Sequence, residues 1–247
     1  MHQNKLEEKY NSFTIVLLTR DRQDKLLKSI NSLLYQEYPD DKIQIIVVND
    51  GSIDGTQLLL EQIKGNLPDS RFKIITNTPA IGKAGSRNKG MQAADNDWIS
   101  WLDDDDFYFP IYIEVMNQAA NKYPDSKLFT CAGITISGNW STSIRAPHLV
   151  KKGEVFVAGI VMSGGFLFNK SCLDDTGYLP VHGSPYEFGR MIREQHPEIV
   201  KLYGVRYDLG NPYGDDYAMF YKLTRYYEPI HLNRTLFGVM IRGEKQL

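Results

Sequence analysis

Apolar positions follow two different periods along the first half of the chain. Phe13–Leu18 and Ile43–Val48 are continuous apolar or β-branched runs, as expected of strands covered on both faces. Between them Leu26, Leu27, Ile30, Leu33 and Leu34 recur on one helical face, with Asp21 or Asp24 placed to cap that helix. Asn49–Gly55 is turn chemistry, and Asp54 can cap a helix carrying Leu58, Leu59 and Ile63. Phe72–Thr76 and Trp98–Leu102 predict two more strands, Gly82–Gly90 leads into a short helix, and Pro110 suits the first turn of a helix ending near Tyr123. Strands alternating with helices predict an α/β chain with a mostly parallel central sheet and helices on both faces.

The second half is less regular. Leu128–Ile136, Val155–Met162 and Gly164–Phe168 read as strands, and Asp215–Leu223 as a helix opened by two acidic residues. The segment 180–214 is rich in Gly, Pro and aromatic residues, with a helix expected around Tyr186–Glu194. No repeat, low-complexity tract or linker divides the chain, so 247 residues predict one large domain with a substantial core.

Composition narrows the function classes. A net charge of -2 and the lack of any dense basic cluster argue against a nucleic-acid binder. Cys131 and Cys172 have no metal-like spacing and read as buried thiols, so a reducing cytoplasm is expected. Met1–Asn11 has no apolar signal core, and no run approaches the ~20 apolar residues of a membrane span. Peripheral contact with a membrane through a surface helix stays open.

Three segments carry candidate chemistry. Asp103-Asp-Asp-Asp106 closes an apolar strand, and adjacent carboxylates repel unless a cation or basic side chains offset them. In open α/β sheets, ligands bind beyond the carboxyl ends of strands, where this run would lie. Two of these carboxylates suit magnesium or manganese holding a diphosphate, and a solvated acidic loop is the plainer reading. Val47–Thr56 puts Asp50 and Ser52 just beyond a buried strand, where a carboxylate can accept a base N–H or simply belong to a turn. Gly82–Gly90 sets small residues and Arg87 at a helix start, suited to phosphate but matching neither a dinucleotide fingerprint nor a P-loop.

In this order the segments resemble the family 2 glycosyltransferases of GT-A fold, which have a Rossmann-like sheet. Thr19-Arg-Asp-Arg22 is similar to the family's opening, with Leu18, Arg20 and Asp21 in place of its commoner Pro, Tyr and Asn. Asn49-Asp-Gly-Ser52, Ser86-Arg-Asn88, the Asp103–Asp106 run with Pro110, and Asp215-Asp216 match the later motifs. The resemblance implies a metal-dependent, inverting transfer from a nucleotide-sugar donor, a UDP-sugar favoured, to a glycan, lipid-linked or other hydroxyl acceptor. It implies Thr19, Arg22, Asp50, Ser52, Arg87, Asp103 and Asp104 on the donor, with Asp50 at the base and Arg87 at the diphosphate. Asp105 and Asp103 would hold Mn2+ or Mg2+, supported by Asp104 and Asp106. Asp216, ahead of Asp215, would be the catalytic base. The donor half would span about 12–125, and the acceptor half about 126–247 with 180–214 inserted. Tyr186, Phe188, Tyr203, Tyr207 and Tyr213 are candidates to line an acceptor pocket or to pack the inserted segment, His182 and His231 to approach the metal or diphosphate, and Arg242 to reach the diphosphate. Two other readings remain: a nucleotidyltransferase and a non-catalytic nucleotide-sugar-binding or partner-binding module. The first would carry a Gly-rich loop with Lys where Thr19–Arg22 stands, and the intact acidic motifs speak against the second.

Overall fold

The computed structural model describes residues 9–136, 142–145, 150–153, 163–179 and 215–240. The strand expected at Val155–Met162, the segment 180–214 with its aromatic residues, His182 and Arg242 lie outside the described residues.

Four parallel strands form the first half of the sheet: β1 (Phe13–Thr19), β2 (Ile43–Asn49), β3 (Phe72–Thr76) and β4 (Trp98–Asp103), in the order β3-β2-β1-β4. Their registers align the carboxyl ends. Thr19 lies beside Asn49, Asn49 beside Thr76, and Leu18 beside Asp103. Every residue of β1 and β2 is buried, as their unbroken apolar runs require.

The crossovers are α1 (Gln23–Leu34), α2 (Thr56–Lys64) and α3 (Gly82–Gln92). Phe13, Ile15 and Leu17 of β1 share a core with Leu26, Ile30 and Leu33 of α1 and Leu60 of α2. Val16 and Leu18 point to the opposite face, into a second core with Met91 of α3. The two-residue period of a strand thus divides one sequence run between two helical layers.

Beyond β4 the sheet becomes mixed. After β5 (Phe107–Tyr108) and α4 (Tyr112–Lys122) come β6 (Leu128–Ile136), β7 (Thr142–Arg145), β8 (Phe166–Asn169) and α5 (Cys172–Thr176), then α6 (Asp215–Tyr226) and β9 (Ile230–Met240). β8 pairs antiparallel with β4 and β6, β9 runs parallel to β6, and β5 pairs antiparallel with β9. β9 was not expected from the sequence. Register shifts around Ala132 interrupt its pairing with β6, and His231, Asn233, Arg234 and Gly238 blur its alternation. Ser163–Gly165 is a short 3-10 turn, so the strand expected from Gly164 begins at Phe166.

The expected cap of α1 is also corrected. Neither Asp21 nor Asp24 caps it; Asp54 accepts the Gln23 N–H at 3.2 Å and the Thr56 N–H at 2.9 Å, serving the starts of both α1 and α2. Asp21 has a left-handed backbone (φ 52°) and instead accepts the Ile53 N–H at 2.8 Å. Cys131 and Cys172 are buried free thiols, and burial pushes Cys172 up to about 11. Among the described residues no helix is long and apolar enough to cross a membrane.

Gly90 allows α3 to approach β1 closely, since a Cβ there would lie 2.3 Å from Val16 Cγ1. An alanine at a helical glycine gains about 1 kcal/mol of propensity, while overpacking a core costs about 1–3 kcal/mol. Gly90→Ala is therefore expected to lower the urea midpoint of unfolding, and an unchanged or raised midpoint would contradict this packing account.

Candidate active site

The four aspartates do not face one way. The side chains of Asp103 and Asp105 are 32% and 26% exposed, whereas Asp104 and Asp106 are buried. Asp104 turns beneath β1, accepting the Thr19 hydroxyl at 2.8 Å with Arg22 Nε at 3.7 Å. Burial, with Asp105 and Asp103 adding repulsion, pushes it up to about 6 against the pull of Thr19 and Arg22. Asp106 accepts the Met240 N–H of β9 at 3.2 Å, and its carbonyl accepts the Ser29 hydroxyl of α1 at 2.7 Å. Burial and the neighbouring carboxylates push Asp106 up to about 8, against the pull of the Met240 N–H. The crowding of charge is smaller than the sequence suggests.

Arg22 also lies 3.9 Å from Asp105. The larger offset is Arg87, which α3 carries under the carboxyl end of β4 and which has no exposed surface. Its guanidinium donates to Asp103 Oδ1, to Asp215 Oδ2 at 2.8 Å, and to the carbonyls of Val16 and Leu102 at 3.1 and 3.4 Å. It sits over the Trp101 ring at 4.9 Å. Burial would raise Asp215, but the Arg87 charge and hydrogen bond, with the Lys83 charge adding to them, hold it below the usual carboxylate range. Asp216, half-buried in the same first turn of α6, adds to the field that keeps Arg87 charged.

This placement differs from the expected contact between Arg87 and a diphosphate. The guanidinium lies beneath the site and holds two of its acids together.

Thr19, Arg22, Asp104 and Asp105 thus form one contact group and Arg87, Asp103 and Asp215 another, joined through the chain at Asp103–Asp104. Asp50 and Ser52 belong to the adjoining β2 turn. Asp50 accepts Asn77 Nδ2 at 3.0 Å and the N–H groups of Ile81 and Gly82 at 2.8 and 2.9 Å, bracing the connection from β3 to α3. Burial works against its ionisation, but these bonds and Ser86 together hold it below its ordinary value. Ser52 donates to Asn49 Oδ1 and accepts the Asp21 N–H at 2.9 Å. His231 bonds Thr130 at 3.0 Å between β9 and β6.

Sequence reading missed Asn77 and Trp101, and it gave Asn88 no role. Asn88 pairs with the backbone of Leu179 in both directions, at 2.7 and 2.9 Å, pinning the chain beyond α5 against α3. Its position beside Arg87 in Ser86-Arg-Asn88 was the available signal.

Among the described residues no three His, Cys, Asp or Glu side chains converge as a closed metal cage. Two part-exposed carboxylates at a strand end fit a magnesium- or manganese-type ion whose remaining ligands are phosphate oxygens and water.

The family model described as glycosyl transferase family 2 matches residues 14–169, the span holding β1–β4, Arg87 and the aspartates. The chain belongs to that family. It is 25% identical over 212 residues to an uncharacterized glycosyltransferase of Haemophilus influenzae, covering 86% of this chain and 60% of that protein. It is 29% identical over 168 residues to GalNAc(5)-diNAcBac-PP-undecaprenol beta-1,3-glucosyltransferase of Campylobacter jejuni, covering 66% of this chain and 53% of that one. The chain therefore spans little more than half the length of these relatives. In fold it matches S. aureus TarS 1–349, solved in complex with UDP-GlcNAc, with TM-score 0.66 and 15% identity over 95% of this chain and 60% of that one. The architecture is the GT-A fold.

The Asp50 bonds generate a pH prediction. Its pKa is lowered on folding from 3.8, so its contribution is complete above that pH and lost as pH falls through the lower native value. Asp50→Asn would turn an amide towards backbone donors and is expected to cost about 1–3 kcal/mol at neutral pH. The gap from wild type should narrow in denaturant titrations below the unfolded pKa; a gap that widens there would contradict the assignment.

Proposed function

We propose that the chain transfers a sugar from a nucleoside diphosphate donor, a uridine diphosphate sugar favoured, to an acceptor hydroxyl with inversion at the anomeric carbon. The observation that carries this reading is the division of the aspartate run: Asp103 and Asp105 face outward while Asp104 and Asp106 support the turn. In this reading Asp103 and Asp105 would hold Mn2+ or Mg2+ together with the donor diphosphate. When bound, such an ion offsets the charge that develops on the departing nucleotide.

The remaining roles follow from the side chains. A carboxylate offers about four acceptor sites. Asp50 uses its own on Asn77, Ile81, Gly82 and Ser86, the connection that shapes the base side of the site, and a uracil N–H is assigned to it in exchange for one of these bonds. Thr19 and Arg22 keep Asp104 and Asp105 in place, and Ser52 fixes the turn beside the base. Arg87 acts on the diphosphate through Asp103 rather than by contact.

The base removes the acceptor's hydroxyl proton as the oxygen attacks. Asp215 is ill-suited, because Arg87 holds it ionised and weakly basic. Asp216, one residue on, is the proposed base. The donor half is assigned to about 12–125 and the acceptor half to about 126–247.

The acceptor class is read from relatives. An Escherichia coli protein named UDP-Glc:alpha-D-GlcNAc-diphosphoundecaprenol beta-1,3-glucosyltransferase WfaP is 31% identical over 105 residues, covering 42% of this chain and 39% of that protein. Like the Campylobacter enzyme, its name specifies a lipid-diphosphate acceptor and a β-linkage. A lipid-linked sugar diphosphate is accordingly the favoured acceptor, presented at the cytoplasmic face of a membrane.

Two measurements test this reading. UDP at about 100 times its Kd should stabilise the fold by about 2.7 kcal/mol when Mn2+ is present. Chelating the metal, or Asp105→Asn, should remove most of that thermal shift; indifference to UDP, GDP, CDP and ADP alike would contradict donor binding. Asp216→Asn should reduce sugar transfer by about 10²–10⁴-fold, the usual range for a general base, while the UDP shift stays intact. Wild-type transfer by that variant would remove Asp216 from the mechanism.

A further inference from the structure

Arg87 joins parts of the molecule that the proposed reaction uses at different moments. Asp103, on its Nη2, ends β4 on the donor side. Asp215, on its Nε, opens α6 beside the proposed base. The carbonyls of Val16 and Leu102 and the Trp101 face restrict where the guanidinium can go. A planar fork held this way cannot yield to one carboxylate without changing its geometry to the other.

We propose that Arg87 is a positioning residue that couples donor binding to the base, with one buried guanidinium setting both the Asp103 carboxylate and the first turn of α6. A donor that engages Asp103 alters its hold on Arg87, and the Arg87–Asp215 bond carries that change to Asp216. Asp215 is then the anchor of the base helix rather than a second base. The inference rests on the transferase reading above.

Hydrogen exchange along α6 tests it without turnover. In the wild type, UDP with Mn2+ should slow exchange of the α6 amides by ~5-fold or more, the lower end of ordinary coupling between sites. Arg87→Lys keeps the charge but loses the fork, and Asp215→Asn keeps the shape but loses the charge. Should Arg87→Lys fail to fold, as judged by circular dichroism, Asp215→Asn carries the test. In either folded variant the α6 response to UDP should vanish. In Asp215→Asn the UDP-induced thermal shift should persist, and kcat for UDP release from UDP-sugar should fall by ~10²-fold with little change in donor KM, as expected of a misplaced catalytic group.

A merely structural Arg87 would lower the melting temperature of the variants yet leave the α6 response and kcat of folded molecules intact, which would overturn the coupling. Wild-type protein that binds UDP with α6 unresponsive would overturn it as well. Wild-type protein that neither binds UDP nor releases it from any UDP-sugar would overturn the functional reading, and this inference with it.

Discussion

The arrangement of the site depends on one buried cation. Arg87 has no exposed surface, and its hydrogen bonds reach β1, β4 and α6. Desolvating a guanidinium is costly, and the cost is met only where good geometry gives it anionic partners. Asp103 and Asp215 are those partners, so the position of the donor-side aspartate and the attachment of α6 follow from the same requirement. Trp101 covers the flat face that hydrogen bonds cannot satisfy.

The same electrostatic constraint explains the aspartate run. Four adjacent ionised carboxylates would be hard to hold at a strand end. The fold reduces the problem by burying alternate residues. Asp106 is buried and ties α1 to β9, and Asp104 leans on Thr19 and Arg22. The run is a tight turn, closed by the Asp106 N–H on the Asp103 carbonyl at 3.1 Å, that leaves Asp103 and Asp105 part-exposed.

Much of the parallel half of the sheet, β1 to β4, was legible in the sequence. Unbroken apolar strands separated by amphipathic helices leave few arrangements besides a parallel sheet covered on both faces, and the aligned carboxyl ends follow from that topology. The second half was harder. β9 mixes polar and apolar residues across a register irregularity, so its period is lost, and β5 is only two residues long. Side-chain roles were legible as a set but not individually. Sequence position brought Arg87, Asp50 and the aspartates to one end of the sheet. It could not show that Arg87 points inward to carboxylates, that Asp50 is occupied by the Asn77–Gly82 connection, or that Asp54 rather than Asp21 or Asp24 serves the start of α1. Those outcomes depend on contacts between segments far apart in the chain, which no local pattern records.

In the proposed reaction two of the four aspartates serve the donor and two serve the fold. Locating manganese by anomalous scattering in crystals of the protein grown with UDP tests it most directly. A peak on a carboxylate oxygen of Asp105 or Asp103 is expected, with the remaining ligands from diphosphate and water. Asp104 is expected to stay on the Thr19 hydroxyl and Asp106 on the Met240 N–H. A peak ligated by Asp104 or Asp106 would contradict this division.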